Sequence, residues 1–258
     1  MTNTPPFLVS PMLDLPGVSH GFFTREGGVS EAPYHTLNTG PGSGDNQTAV
    51  AENRSRCMDA LSADYLLTGY QTHSPDVMVV DGPWKDGAAQ VDGLVTKTPG
   101  LAIGVLAADC MPFLFADETA GVIGAAHAGW RGALAGVLEN TVAKMTELGA
   151  RSENICAAVG PCLRQPNFEV GMDLVDQFLS VHKGAARFFA PGVNGEKRQF
   201  DLVAFGLWRL TKCGVTKVDD IGLCTLEAPN RFFSYRASRR RNLSDYGRNL
   251  SAIVLKSA

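Results

Sequence analysis

The sequence predicts a mixed α/β sandwich of the α+β kind, and three observations predict it. Continuous apolar runs over 101–117 and 121–127 read as strands buried on both faces. Two amphipathic stretches, 130–148 and 200–215, end at Gly149 and Gly214, as helices do. Strands and helices then follow one another without strict βαβ alternation. The chain has 258 residues, 45% hydrophobic and 19% charged, enough to bury a large core and typical of a soluble globular protein. No repeat, low-complexity tract or linker interrupts it, so residues 1–258 read as a single domain.

In chain order, "GVSHGFFT" (17–24) reads as a strand, and the Gly-, Pro-, Asn- and Ser-rich stretch 25–46 as a long loop of the length that is functional or mobile. Residues 47–61 have helical spacing. "YLLTGYQTH" (65–73) and "DVMVVD" (76–81) read as strands around a turn at Ser74-Pro75, and 91–100 as a short strand and turn. The run 101–117 is two strands or one interrupted strand, followed by a strand at 121–127 and a helix from about 130 to 148. Ala133, Val137, Val142, Met145 and Leu148 give that helix its apolar face. Residues 153–161 read as a strand, 170–182 and 200–215 as helices, and 218–225, 231–236 and 250–256 as strands.

A formal net charge of -3 gives no general reason to expect nucleic-acid or membrane binding. The one basic block, "RASRRRN" (236–242), reads as a solvated loop. The N-terminal "MTNTPPFLVSPMLDL" lacks the pattern of a signal peptide, and no window has the length of a membrane span, so a cytoplasmic location is expected. The six scattered cysteines, none in a CxxC pair, fit free thiols in a reducing compartment. The sequence fixes no oligomeric state.

Three residues carry the candidate chemistry. His73, Cys110 and His127 each stand at the end of an apolar strand, and parallel neighbouring strands would bring them to one rim. Zinc favours thiolate and imidazole, and catalytic zinc commonly keeps three protein ligands and an open position. After His127, "AGWRG" makes a Gly-bounded turn into a helix whose N-terminus, with Arg131, would suit phosphate.

The stretches "HGFFTREGGVS", "YHTLNTG", "YQTHSPDV", "ADCMPFLFAD", "AHAGWRGALAGVLENTV", "VGPCLRQPNFEVG", "FFSYR" and "GRNLSAI" resemble the bacterial laccase-domain family, also described as purine nucleoside phosphorylases, over about residues 18–255. The resemblance implies a four-layer α/β/β/α sandwich, similar to cysteine hydrolases of the cytotoxic necrotising factor type. It puts metal ligands, and so the catalytic centre, on His73, Cys110 and His127. It implies phosphorolysis of adenosine, inosine and methylthioadenosine to free base and ribose 1-phosphate, together with adenosine deamination. Copper-dependent polyphenol oxidation and peptidoglycan editing have also been attributed to members. Candidate substrate contacts beside Arg131 are Arg25, Asn38, Arg54, Gln71, Arg236 and Arg248. Asp109, next to Cys110, should point its side chain away from that of the cysteine, and "VGPC" (159–162) either turns the chain or brings Cys162 near the site, the turn being favoured.

Five histidines and no His-x-His pair cannot build a multicopper cluster within one chain. A single Cys-His-His site still suits copper, so zinc is the expected metal and copper the alternative, with phosphate as co-substrate and purine nucleosides as small-molecule partners. Two other classes stay open. One is a metal-free hydrolase with Cys110 as nucleophile and His127 as base, which has no need of His73; the other is a non-catalytic metal-binding protein.

Overall fold

Within residues 4–193 and 195–257, which the computed structural model describes, the chain runs through β1 (Phe7–Leu8), β2 (Val18–Phe23), α1 (Gln47–Leu61), β3 (Tyr65–Thr68), β4 (Val77–Val79), β5 (Gly93–Thr96), β6 (Leu101–Ala107), β7 (Met111–Asp117) and β8 (Val122–Ala128). It continues through α2 (Trp130–Ala135), α3 (Val137–Glu147), β9 (Cys156–Val159), β10 (Glu169–Gly171), α4 (Met172–Val181), β11 (Phe189–Pro191), β12 (Lys197–Phe200), α5 (Leu202–Lys212), β13 (Lys217–Asp220), α6 (Tyr235–Arg240) and β14 (Asn249–Leu255). Among the described residues no helix is long and apolar enough to cross a membrane.

Two mixed sheets stack face to face. The first has the order β1-β2-β14-β6-β3, the second β13-β9-β7-β8-β5-β4. Strand alternation explains why both read as unbroken apolar runs. On β7, Leu114 and Ala116 face the other sheet while Phe113 and Phe115 face a helical layer of α3, α4 and α5. On β6 and β14, Ile103 and Ile253 point between the sheets, whereas Ala102 and Ala252 meet Cys57 and Leu61 of α1 on the opposite side. Every central strand is thus covered twice, giving the four layers α/β/β/α. Each large side chain so buried contributes about 2 kcal/mol.

Several elements depart from the sequence reading, each for a local reason. The strand expected over 65–73 stops at Thr68; beyond it the side chain of Gln71 takes over the ladder, donating to Leu106 O at 2.7 Å and accepting from Leu106 N at 2.8 Å. Residues 101–117 are two strands in different sheets, so the chain crosses the sandwich at 108–110. The helix expected over 130–148 breaks into α2 and α3 at Gly136, whose φ of 101° ends one helix and starts the other. "RFFSYR" is not a strand. The side chain of Asn249 takes both the N–H and the C=O of Phe233, at 2.9 Å each, and Ser234 caps α6 by accepting from Ala237 N at 3.1 Å. A small third sheet, β10-β12-β11, has no counterpart in the sequence reading. The loop 25–46 contains no helix or strand, yet it is tied down throughout by buried polar contacts.

The topology gathers five chain segments at one end of the sandwich. β3 runs parallel to β6, so both finish there. β7 starts there, and its antiparallel partner β8 ends there, with His127 opposite Pro112. β5 begins there too, Gly93 pairing with Ala126.

Candidate metal and substrate site

His73, Cys110 and His127 meet at this end. Their ligand atoms all lie within 4.8 Å of one another. Cys110 Sγ is 3.7 Å from His73 Nε2, and the two imidazoles stand edge to face with centroids 4.9 Å apart. Only His127 lies within a strand. Cys110 sits in the crossing between the sheets, and His73 in the bend after β3 with a φ of 63°. The ligands converge because the chain changes sheet beside them, not because three parallel strands end in a row.

The residue that organises the trio is Asp92, which the sequence reading did not single out. It is 1% exposed and directly precedes β5. Its Oδ1 accepts from His127 Nδ1 at 2.7 Å and from the His73 amide at 3.0 Å. Its Oδ2 accepts from the Thr72 and Ser74 amides at 2.9 and 2.8 Å and from the Ser74 hydroxyl at 3.1 Å. One carboxylate therefore fixes the His73 bend and the His127 ring together. In the neutral ring, Nδ1–H donated to Asp92 puts the lone pair of His127 on Nε2, the nitrogen a ligand would take once its proton is displaced. The only signal in the sequence was an acid set between apolar residues at the start of a buried strand.

Asp109 and Cys110 lie in the crossing rather than in a strand, so strand alternation does not govern their side chains, and Asp109 shares the cavity lining with Cys110. Asp109 accepts from Thr225 Oγ1 and from the Arg236 amide, both at 2.6 Å, and so pins the crossing at a φ of 97°. Gly129 completes the floor. A Cβ there would lie 2.6 Å from His73 Cδ2 and 3.0 Å from Cys110 Sγ, closer than any side chain fits.

Electrostatics favour a thiolate. Burial by itself raises the Cys110 thiol, but the charge and hydrogen bond of His127, joined by those of His73, bring it down to about 6. Burial equally opposes protonation of His127, and the Cys110 and Asp92 charges overcome it, raising the ring to about 9. Desolvation instead pushes the thiols of Cys57, Cys156, Cys162 and Cys213 up. Cys162 is buried beside Cys224 and lines no part of the site.

A thiolate and two imidazoles of fixed orientation are a donor set that fits zinc or copper. The trio opens into a cavity of about 730 Å³ whose wall includes Gln71, Arg131, Arg236 and Arg248. Arg131, exposed, lies 4.4 Å from the Trp130 ring and has no hydrogen-bond acceptor or ion pair among the described residues. Arg236 gives its Nη1 to the carbonyls of Asn167 and Glu169, and Arg248 pairs with Asp245 at 3.1 Å. Tyr70, Trp130, Phe168, Tyr235 and Tyr246 supply aromatic surface.

Arg25, Asn38 and Arg54 are outside the cavity lining. Arg25 braces the loop through His35 O and Pro229 O, and Asn38, fully buried, accepts from the Arg248 amide at 3.0 Å. Arg54 donates to Thr39 O and Leu66 O. Asn38 and Arg54 thus brace the stretch that carries Gly40 and Arg248, while Arg25 lines a separate cavity with His35 and Pro229.

Comparison with known proteins agrees with this architecture. The sequence profile of the family described as multi-copper polyphenol oxidoreductase laccase matches residues 19–256. A Deinococcus radiodurans protein named purine nucleoside phosphorylase is 40% identical over 252 residues, covering 97% of this chain and 93% of that one. A Haemophilus influenzae protein of the same name is 36% identical, covering 88% and 93%. The crystal structure of a Neisseria meningitidis protein of family DUF152 superposes with a TM-score of 0.88 at 35% identity, covering 97% of this chain and 99% of that one.

Proposed function

The chain belongs to the multi-copper polyphenol oxidoreductase laccase family, and from that premise we propose that it is a metal-dependent purine nucleoside phosphorylase. The domain 1–258 would act as one cytoplasmic unit on adenosine, inosine and methylthioadenosine. The observation that carries the reading is the pairing, in one cavity, of an open three-ligand set with an unpartnered arginine. The names of the relatives supply the substrate class.

His73, Cys110 and His127 would hold the metal, zinc by preference and copper as the alternative. When bound there it supplies a Lewis acid and a water acidified to near neutrality. The chain's own residues do the rest. Arg131 holds the phosphate that attacks the anomeric carbon, its guanidinium matching the anion's paired oxygens. The aromatic walls hold the base, and Asp92 keeps His127 in the ligating tautomer. Adenosine deamination at the same site is a separate reaction, in which water adds to C6 of the adenine and ammonia leaves, the glycosidic bond staying intact.

One observation favours a second reading. Asp92 accepts from His127, and the His127 charge lowers the neighbouring Cys110 thiol, an arrangement that suits a cysteine hydrolase. His73 argues for the metal, since that arrangement does not need it. The test is to strip the protein and reload it with zinc or copper. Copper-free zinc protein should release adenine or hypoxanthine in phosphate buffer and oxidise no phenol. Activity surviving in metal-free protein would favour the hydrolase. Intact nucleosides with either metal, alongside rapid phenol oxidation by the copper protein, would overturn the nucleoside reading.

A further inference from the structure

Large aromatic side chains usually bury themselves, yet Tyr235, on the cavity wall, is 49% exposed. It is nevertheless firmly placed. It opens α6 immediately after the capping Ser234, and the amide of the next residue, Arg236, is held by Asp109 at 2.6 Å. Its ring meets Tyr246 edge-on, with centroids 5.2 Å apart at 61°. Tyr246 in turn carries the Arg248 guanidinium 4.2 Å from its centroid. Arg248 is anchored by Asp245 through its side chain and by Asn38 through its amide. Tyr235 therefore combines a braced position with open ring surface, in the cavity that holds the ligand trio and one link of Asp109 away from Cys110.

A rigid ring with free surface in a polar cavity recognises another planar ring. Stacking reads the π-face of a base and ignores its exocyclic groups. Resting on the nucleoside reading above, we propose that Tyr235, braced by Tyr246, is the stacking surface for the purine base. It binds the base and not the phosphate, and it accepts 6-amino and 6-oxo purines alike.

The test compares Tyr235→Ala and Tyr235→Phe with wild type in the zinc-loaded protein. It uses nucleoside and phosphate kinetics together with calorimetric binding of free adenine and hypoxanthine. Tyr235→Ala should raise KM for adenosine and for inosine about tenfold and weaken both free bases by a similar factor. Its KM for phosphate and its urea midpoint should stay at wild-type values, since the side chain is half exposed. Tyr235→Phe should match wild type throughout. If wild type binds the bases and Tyr235→Ala binds them equally well, or if Tyr235→Phe is as damaged as Tyr235→Ala, the stacking role is wrong while the nucleoside reading stands. If wild type neither binds the bases nor turns over nucleosides, the nucleoside reading falls and this proposal with it.

Discussion

Replacing Asp92, 1% exposed, by asparagine removes one negative charge and one acceptor oxygen from a buried site. Oδ1 now serves His127 Nδ1 and the His73 amide, while Oδ2 serves two amides and the Ser74 hydroxyl. An asparagine oxygen can keep only one of these sets. If it keeps the second, its NH2 faces two donors. The His73 amide is left without an acceptor, and His127 must accept at Nδ1, which puts its proton on Nε2 where the metal should bind. Losing two hydrogen bonds to a buried charge costs about 3–6 kcal/mol before relaxation. A carboxylate behind a ligating histidine is typically worth about 10–100-fold in metal affinity. Asp92→Asn should therefore lose zinc affinity by that factor, in competition with a chromophoric chelator, and unfold at lower urea. A variant that binds zinc within twofold of wild type and unfolds at the same urea concentration would refute the organising role of Asp92.

Gly129→Ala should damage the site while sparing the fold. The added methyl group would crowd His73 and Cys110, so zinc affinity should fall at least about tenfold with unchanged circular dichroism; unaltered zinc binding would show that the floor is not close-packed. Arg131→Ala should raise KM for phosphate about 10–100-fold, the worth of a charge-assisted hydrogen bond, and leave adenosine deamination nearly intact; equal loss of both would point to a structural role. His20 is buried, accepts from the Ser10 amide at 2.8 Å, and has its pKa lowered from 6.5 to about 4 by burial, with Asp14 opposing. The unfolded chain then takes up the proton first as pH falls, so this contribution to stability is whole above pH 6.5 and lost towards pH 4. The slope should be about 1.4 kcal/mol per pH unit, about 3 kcal/mol in all. Urea titrations from pH 7 to 4 should show it in wild type and not in His20→Gln; the same slope in both would assign it elsewhere.

The sequence exposed the parts of this molecule that follow from periodicity. Helix α1 over Gln47–Leu61 and the buried strands β2, β6, β7, β8 and β14 were legible because alternation and apolar runs report burial directly. Phe232, Phe233 and Tyr235 misled because the β propensity of the segment was overridden by Asn249, whose side chain pairs with the Phe233 backbone from sixteen residues away and imitates a strand. The trio was legible from residue type, but the reason for its convergence was not. The crossing between sheets at 108–110 has no local signature. Asp92 was hidden for a related reason, since its five donors come from the His73 bend and from His127, and no spacing rule connects them. Arg25, Asn38 and Arg54 looked like substrate residues because polar groups in a long loop usually are. Here they supply the hydrogen bonds that the loop's own backbone lacks.

The central claim is that His73, Cys110 and His127 together hold one metal ion. The most direct test is cobalt(II) substitution, followed by absorption spectroscopy and metal analysis of wild type, His73→Ala, Cys110→Ser and His127→Ala. Wild type should bind one cobalt per chain and show a thiolate-to-cobalt charge-transfer band. Cys110→Ser should lose the band, and each variant should lose most of the bound metal. Full occupancy in all three variants, or a charge-transfer band that survives in Cys110→Ser, would contradict the site.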